Sequence, residues 1–460
     1  MSAPDPGSFR DPTSRVFLDG DRVLRGLDAR ALADVEALLA SPFWAAAAAE
    51  GRVVGTRLLD PGSHPLQERW AGVAEHDRIP LVSYPYEWCF EMLRDAALAH
   101  LAITRDAVAA GFSTKDASAF NLTFDGTVPR FLDVGSFERP PRDEAWPGYA
   151  QFSDLFLAPL VLQAVGGVDF QPWLRGSVGG IDIGELSSLL PRRRRLRRGL
   201  GVHVTMQARA RRKALAADAA GRPGGRGGFS PTLVTAQLAN LERTVRRLRW
   251  RAQGSVWSDY GDRSHYVGDD LAAKEGFVAD AVRLLEPPTV LDLGANDGRF
   301  SLLAVEAGAR RAVATDFDHV VVDRLYRTLR ERGEERVLPL VIDLMNPPAG
   351  AGWRGRERRP FLERARPDLT LCLAVVHHLA ITDTVPFEEI VAMFADLGAP
   401  LVVEFPHPDD PMVERLLARK RPGLFDHYRL DAFEAALGAR FSVERRLELG
   451  TRTLLLARPA

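Results

Sequence analysis

Cysteine, net charge and long apolar runs are all scarce in this sequence. Two cysteines occur, Cys89 and Cys372, and they lie far apart in apolar surroundings. A disulfide framework and a zinc site are therefore not expected. The formal net charge is -1, so no overall field steers the protein to nucleic acid or to a membrane. Because the sequence shows neither a bilayer-spanning apolar run nor a signal-peptide pattern, we expect a cytoplasmic protein.

The chain length of 460 residues predicts two or three domains rather than a single core. Three blocks differ in character: 1–190, 191–250 and 251–460. The first block opens with a predicted hairpin at Val16–Leu24 and continues into helical stretches at Ala29–Ala49 and Glu87–Ala110. The second is a basic, glycine-rich connector, and the third alternates strands with helices.

The second block carries a run of positive charge. Between Leu186 and Ala217 there are ten basic residues and no acidic ones, all of them within 192–213. Such a run is typical of a solvated or interdomain helical face, of contact with an anionic membrane surface, or of nucleic-acid contact. Aromatic residues are absent from 191–215, which argues against base stacking. We therefore do not expect a nucleic-acid partner, while membrane contact stays open.

Five apolar runs in the third block predict buried parallel strands, because helical segments separate them. They are Thr289–Leu293, Ala312–Thr315, Leu338–Ile342, Leu369–Val376 and Leu401–Phe405. Two further runs, Phe441–Leu447 and Thr451–Ala457, meet near Gly450 and predict an antiparallel hairpin. The expected fold class is α/β, with a Rossmann-like C-terminal sheet of seven strands.

The stretch VLDLGANDGRFS joins the first of these runs to a helix start. Its regularly spaced residues are Asp292, Gly294, Asn296 and Gly298. Gly294 lets the backbone turn where a side chain would clash, and Gly298 lets the next helix begin close to a ligand. This spacing resembles motif I of class I S-adenosylmethionine (SAM) methyltransferases, although the middle glycine is asparagine here. The resemblance implies SAM as the cofactor. A dinucleotide site is disfavoured, because it would need glycine at positions 296 and 299 and neither holds one.

Acidic residues follow the next two strands. Asp316 ends the second run, where nucleotide-binding sheets place the acid that binds the ribose hydroxyls. We prefer it to Asp318, because it stands directly at the strand end. The family resemblance implies that Asp343, after the third run, meets the adenine amino group and that Asp292 shapes the methionine end of the site. Upstream of the sheet, Tyr266 is the candidate for an aromatic cofactor contact.

Two histidines and one glutamate are the candidate catalytic residues. His377 and His378 follow the fourth run, and histidine titrates near neutrality, which suits removal of a proton from an alcohol. The alternative is that one histidine only packs or holds a loop. Glu404 ends the fifth run and is a candidate for binding substrate hydroxyls or for acting as the base. Alignment of the nucleophile with the methyl group supplies most of the rate in such a transfer.

The block from Trp257 to Pro459 resembles bacterial class I methyltransferases of the nodulation-protein-like group. The segments that carry the resemblance are DLGANDGRFS, TDFD, AVVHHL and VEFPHPDDPMV. Many members of that group are linked to modification of cell-surface glycans or lipid-linked sugars. The resemblance therefore implies a SAM-dependent O-methyltransferase with a sugar-like, small-molecule or glycan acceptor.

The first block contains a second pattern. Asp116 is followed by Asn121 and then by Asp133 in FLDVG, a spacing that resembles the catalytic core of protein and small-molecule kinases. In that family the first acid orients the acceptor hydroxyl, while the asparagine and the second acid hold magnesium. The resemblance implies an α+β kinase-like domain, with ATP and Mg²⁺ as cofactors only if that domain is active.

Two departures separate this block from an active kinase. Thr114 stands where the family has histidine, and no lysine precedes Lys115, so the phosphate-pairing lysine is missing. An arginine such as Arg25 or Arg57 is a candidate replacement. An unrelated α/β substrate-binding domain stays open for the block itself. For the whole chain, the alternatives are a bifunctional kinase–methyltransferase, a non-catalytic SAM-binding scaffold and, less favoured, an RNA methyltransferase.

Overall fold

The structure is a computed structural model that describes residues 2–139, 146–195, 199–219, 231–251 and 268–460. The chain forms two compact units. Unit 1 comprises Met1–Arg251 and Gly350–Arg358, and unit 2 comprises Ala252–Ala349 and Arg359–Ala460. Within the described ranges, no single helix has the length and apolarity to cross a membrane, although one bent pair, Ala29–Leu39 with Pro42–Ala49, meets those criteria together.

Unit 1 is built on antiparallel strands. They are β1 (Ala3–Pro4), β2 (Ser14–Asp19), β3 (Arg22–Leu27), β4 (Thr56–Leu58), β5 (Gly72–His76), β6 (Ser113–Thr114), β7 (Leu122–Asp125), β8 (Val128–Phe131) and β9 (Phe137–Glu138). A five-stranded sheet has the order β1-β2-β3-β5-β4, and β6-β9 and β7-β8 form two small sheets. The predicted hairpin is confirmed, since β2 pairs with β3 and Gly20 turns between them with a φ of +60°.

The helices of unit 1 are mostly short. They are α1 (Ala29–Leu39), α2 (Pro42–Ala49), α3 (Phe90–Ala109), α4 (Tyr149–Phe152), α5 (Ala158–Val161), α6 (Gln171–Gly176), α7 (Ile183–Leu189), α8 (Arg192–Arg195), α9 (Gln207–Ala219) and α10 (Pro231–Arg247). The single helical stretch predicted at 29–49 is wrong, because Ser41 accepts the Trp44 amide and starts a new helix there. Pro42, at the first position of α2, has no N–H with which to continue α1.

Unit 2 has one mixed sheet covered by helices. Its strands are β10 (Thr289–Leu293), β11 (Arg311–Asp316), β12 (Val337–Val341), β13 (Leu369–Cys372), β14 (Leu401–Pro406), β15 (Phe441–Leu449) and β16 (Arg452–Pro459). Its helices are α11 (Gly268–Leu285), α12 (Arg299–Glu306), α13 (His319–Arg332), α14 (Phe361–Arg364), α15 (Phe387–Leu397), α16 (Pro411–Leu417) and α17 (Leu430–Gly438). The strand order is β12-β11-β10-β13-β14-β16-β15. The first five strands are parallel, and β16 is antiparallel to both its neighbours.

The predicted α/β class is confirmed, and the sequence also explains the strands of unit 2. The five parallel strands, β10 to β14, are mostly apolar and buried, as expected for a parallel sheet whose two faces are covered by helices. One predicted bound is wrong. The apolar run at Leu369–Val376 forms a strand only as far as Cys372, because Ala374 turns the chain with a φ of +55°. His377 and His378 therefore lie several residues beyond the strand end.

Candidate functional site

Three neighbouring strands of unit 2 end at the same edge of the sheet. In the parallel register Leu293 of β10 pairs with Thr315 of β11, and Asp316 pairs with Val341 of β12. Asp343 lies two residues beyond the end of β12. The edge therefore gathers the turn after β10 and the acids that follow β11 and β12, which is where open α/β sheets bind ligands.

The turn after β10 depends on glycine at position 294. Gly294 has a φ of +72°, and its N–H donates to the Thr315 carbonyl at 2.8 Å. A β-carbon at this position would lie 2.5 Å from Cγ2 of Val375, closer than real β-carbons approach. Backbone conformation and packing therefore both exclude a side chain, as the sequence predicted.

The asparagine in place of the motif glycine is compatible with the same turn. Asn296 has a φ of +49°, in the left-handed region that asparagine tolerates better than most residues. Gly298 has a φ of +77° and directly precedes α12, and a β-carbon there would lie 2.6 Å from Cδ1 of Leu325. Packing against Leu325 thus gives a reason for this glycine that the sequence did not supply.

Asp316 is joined to the turn by hydrogen bonds. Its Oδ2 accepts the N–H of Asn296 at 3.0 Å, and its Oδ1 accepts the N–H of Asp318 at 2.9 Å. Burial raises the pKa of Asp316 to about 6, although these amides oppose the shift. Asp318 instead caps α13, since its carboxylate accepts from the amides of Val320 and Val321.

The other two acids differ in their surroundings. Asp292 is 2% exposed, and its Oδ2 accepts the Ser301 hydroxyl of α12 at 2.6 Å. Burial is the main cause that raises the pKa of Asp292 to about 6. Asp343 is exposed, and its Oδ1 accepts the N–H of Met345 at 2.9 Å. Tyr266, the predicted aromatic contact, lies outside the described residues.

The two histidines after β13 form a pair in which His377 is buried and His378 is half-buried. Their ring centroids are 4.0 Å apart, and His377 is fully buried. Neither ring nitrogen of His377 has a hydrogen-bond partner among the residues that the structure describes. Burial holds the pKa of His377 well below its usual value and lowers that of His378 to about 4. The expected titration near neutrality is therefore wrong, and both imidazoles are neutral at pH 7.

Glu404 is held between two cations rather than left open. It is fully buried, with Oε2 2.6 Å from Nζ of Lys274 and Oε1 3.3 Å from Nη1 of Arg452. The Nε of Arg452 in turn lies 2.7 Å from Oδ2 of Asp410. This buried network ties α11, β14 and β16 together. It favours a structural role for Glu404 over that of a base, because both of its oxygens already hold a cation.

The residues predicted in unit 1 also come together. Oδ1 of Asp116 accepts Nδ2 of Asn121 at 2.7 Å and the hydroxyl of Ser136 at 2.7 Å. Burial and the nearby charge of Asp133 raise the pKa of Asp116. Asp133 forms an ion pair with Arg25, with Nη2 and Oδ1 2.8 Å apart. Among the described residues, no three histidine, cysteine or acidic side chains are grouped as a metal site.

The basic stretch makes ion pairs within unit 1. Arg211 contacts Asp154 and Asp182 at 2.8 and 2.9 Å, and Arg194 donates to the Val165 carbonyl. These contacts favour a structural use of part of the stretch, although Arg193, Arg209, Arg212 and Lys213 are exposed.

One relative covers nearly the whole chain. The sequence is 34% identical over 451 residues to the nodulation protein NoeA of Rhizobium meliloti (strain 1021), covering 96% of this chain and 94% of that protein. No protein-family model matches.

Several solved methyltransferase structures are similar at low scores. The 16S rRNA methylase RmtB has 17% identity and a TM-score of 0.30, covering 50% of this chain and 85% of its own. The bifunctional kinase–methyltransferase WbdD has 16% identity and a TM-score of 0.30, covering 42% and 39%. The N-methyltransferase NodS of Bradyrhizobium japonicum WM9 has 12% identity and a TM-score of 0.29, covering 42% and 98%. With TM-scores this low, these structures decide nothing about the site.

Proposed function

The chain belongs to the family of the nodulation protein NoeA, and we propose that its unit 2 is a class I SAM-dependent methyltransferase. The observation that carries the proposal is the hydrogen bond from the Asn296 N–H to Oδ2 of Asp316. It joins a left-handed glycine turn to an acid at the neighbouring strand end. Turn and acid together make a cradle for an adenosyl group at the carboxyl edge of a parallel sheet.

The strand order of unit 2 supports the same proposal. Numbered along the chain, the seven strands run 3-2-1-4-5-7-6, with strand 7 antiparallel to its neighbours. The order reverses beside β10, so the switch point of the topology coincides with the turn at Gly294. Ligands of doubly wound sheets bind at such switch points, because the connections leave a crevice there.

The residues at this edge fit SAM by their chemistry. We propose that the carboxylate of Asp316 accepts hydrogen bonds from the ribose hydroxyls and that exposed Asp343 accepts one from the adenine amino group. Asp292, buried against Ser301, acts by positioning the start of α12. SAM supplies a methyl group on a sulfonium, which is already a good leaving group, so the protein contributes mainly alignment.

We propose oxygen as the methylated atom and a sugar-like or other small-molecule or glycan hydroxyl as the acceptor. His377 and His378 are neutral, so each has a lone pair that can accept a hydrogen bond from an acceptor hydroxyl and orient it. The unpartnered ring of His377 among the described residues supports this role. The acceptor class rests on the resemblance of the sequence to the nodulation-protein-like group.

For unit 1 we propose a kinase-like fold that recognises the acceptor. The antiparallel sheet β1-β2-β3-β5-β4 precedes the long helix α3, and the cluster around Asp116 follows that helix. Asn121 donates to Asp116 as expected for residues that act together at one site.

Calorimetric titration of the full chain with SAM tests the proposal for unit 2. Asp316→Ala should lower the affinity by about 10- to 100-fold, because hydrogen bonds to a charged group contribute ~1.5–3 kcal/mol. Asp368→Ala is the matched control. Asp368 also accepts a strand amide, that of Thr289 at 2.9 Å, but at the opposite edge of the sheet.

Two results would count against the proposal. Absence of SAM binding, or equal loss of affinity in both variants, would remove the proposed cradle. Tight SAM binding with no transfer of a labelled methyl group to any glycan or small-molecule acceptor would favour the scaffold alternative.

A further inference from the structure

A buried guanidinium pairs with Asp133, one of the predicted magnesium ligands of unit 1. Arg25, on β3, is 8% exposed, and contacts hold all three of its nitrogens. Nη1 donates to the Ser14 hydroxyl at 3.1 Å, and Nε donates to Nε2 of His76 at 3.4 Å. Nη2 lies 2.8 Å from Oδ1 of Asp133. Arg25 is thus a cation fixed in place rather than a mobile side chain.

The partners of Arg25 are themselves fixed. Because a guanidinium only donates, Nε2 of His76 must accept, which leaves the ring proton on Nδ1 facing the Thr56 hydroxyl at 2.9 Å. Burial and the charge of Arg25 lower the pKa of His76 to about 3, so this partner stays neutral. The carboxylate that compensates the charge of Arg25 is therefore Asp133.

Gly135, two residues after Asp133, makes room for this arrangement. A β-carbon on Gly135 would lie 2.9 Å from Nη1 of Arg25 and 3.2 Å from the Ser14 hydroxyl. Its φ is not in the left-handed region, so the reason for glycine is the close approach of the guanidinium. The segment from Asp133 to Gly135 therefore packs against Arg25.

The predicted magnesium ligands do not fit a metal in this arrangement. Mg²⁺ in proteins usually takes one or two carboxylates along with water and phosphate oxygens. Of the two predicted ligands, Asp133 has its Oδ1 2.8 Å from Nη2 of Arg25, and Asn121 has its side-chain amide bound to Asp116. A divalent ion at Asp133 would also lie beside a fixed positive charge and be repelled by it.

We propose that the Arg25 guanidinium takes the place of a divalent cation at Asp133. Unit 1 then keeps its cluster folded and charge-balanced without metal, and it recognises a ligand rather than transferring a phosphoryl group to it. This inference concerns unit 1 alone, so its failure would leave methyl transfer by unit 2 untouched.

Manganese binding to the full-length chain tests the inference, with the electron paramagnetic resonance signal of free Mn²⁺ as the readout. We expect the wild type and Asp133→Asn to give the same Mn²⁺ titration, because Asp133 holds no metal in the wild type. Arg25→Met frees Asp133, so we expect a new saturable Mn²⁺ site, and the double variant R25M/D133N should lose it again. A second titration compares ATP with Mg²⁺ against ATP with EDTA, because phosphate oxygens supply ligands that a bare ion lacks.

Mn²⁺ or Mg²⁺–ATP binding in the wild type that Asp133→Asn abolishes would overturn the inference. So would a folded Arg25→Met variant that gains no Mn²⁺ site, because Arg25 would then not be what excludes the metal. The melting curve of Arg25→Met shows whether it is folded. If it is not, the comparison of wild type with Asp133→Asn, together with the ATP titration, decides alone.

Discussion

Asp316→Asn should weaken SAM binding and yet stabilise unit 2 at neutral pH. Burial raises the pKa of Asp316 to about 6, whereas an unfolded aspartate titrates near pH 4. The folded carboxyl therefore keeps its proton at pH values where the unfolded one has lost it. Its contribution to stability is fully present below pH 4 and is lost as the pH rises through 6, by about 3 kcal/mol in total.

Asparagine resembles the neutral carboxyl, so the variant avoids most of that loss. We expect it to exceed the wild type by ~1–3 kcal/mol above pH 6, less than the full amount because one amide partner of Asp316 loses its acceptor. The difference should shrink steadily between pH 6 and pH 4. A gain of this kind together with lower cofactor affinity is typical of a strained functional group.

Hydrogen exchange of peptides covering β10 and β11 measures this effect, because a chain of two units need not unfold in one step. Exchange rates between pH 5 and 8, corrected for the intrinsic rate, give the opening free energy. Asp368→Asn, which changes an exposed acid, should show no gain. A variant that is less stable than the wild type at every pH, or whose difference does not vary with pH, would refute the reasoning.

Three further predictions concern the glycine turn, the buried ion pair and the pH dependence of methyl transfer. Gly294→Ala should destabilise unit 2 by about 2–5 kcal/mol in chemical denaturation and weaken SAM binding, because it adds a steric clash to a left-handed backbone. Gly333 is the control, since it has a φ of +64° and no atom within 4 Å of the added carbon. Gly333→Ala should therefore destabilise unit 2 only through its left-handed backbone, and by less than Gly294→Ala. Glu404→Gln should cost ~3–5 kcal/mol by leaving buried Lys274 underpaired, and a cost below 1 kcal/mol would contradict the network. The rate of methyl transfer should show no step near pH 6.5 from His378, whose pKa is about 4, and a step abolished by His378→Gln would disprove that assignment.

Much of unit 2 could be predicted, because its five parallel strands are buried and mostly apolar. The run at Thr289–Leu293 has the same bounds as β10, and the terminal hairpin forms as expected. Gly294 could also be predicted, because a turn with a positive φ and a close neighbouring side chain excludes nearly every residue except glycine.

The end of β13 was not predictable from hydrophobicity. The chain turns at Ala374, which is not a glycine, and Val375 and Val376 continue the apolar pattern beyond the turn. The depressed pKa of His377 follows from this, because the turn carries the imidazole into the interior instead of leaving it at an open strand end.

The long-range ion pairs could not be predicted from the sequence either. Lys274 and Glu404 are 130 residues apart, and no spacing rule connects them. Arg25 was named as a candidate for pairing with phosphate, but only the structure brings it to Asp133. Charged groups that compensate each other across a fold leave no local pattern, so a sequence shows the charges without their partners.

Amide protection on SAM binding tests the central claim most directly. Hydrogen exchange of the full chain with and without SAM should show added protection in peptides covering 293–298, 316–318 and 343–345, and none in β1–β9. Protection at all three segments would place one adenosyl group across three neighbouring strand ends. Binding of SAM that leaves these three segments unprotected would contradict the account.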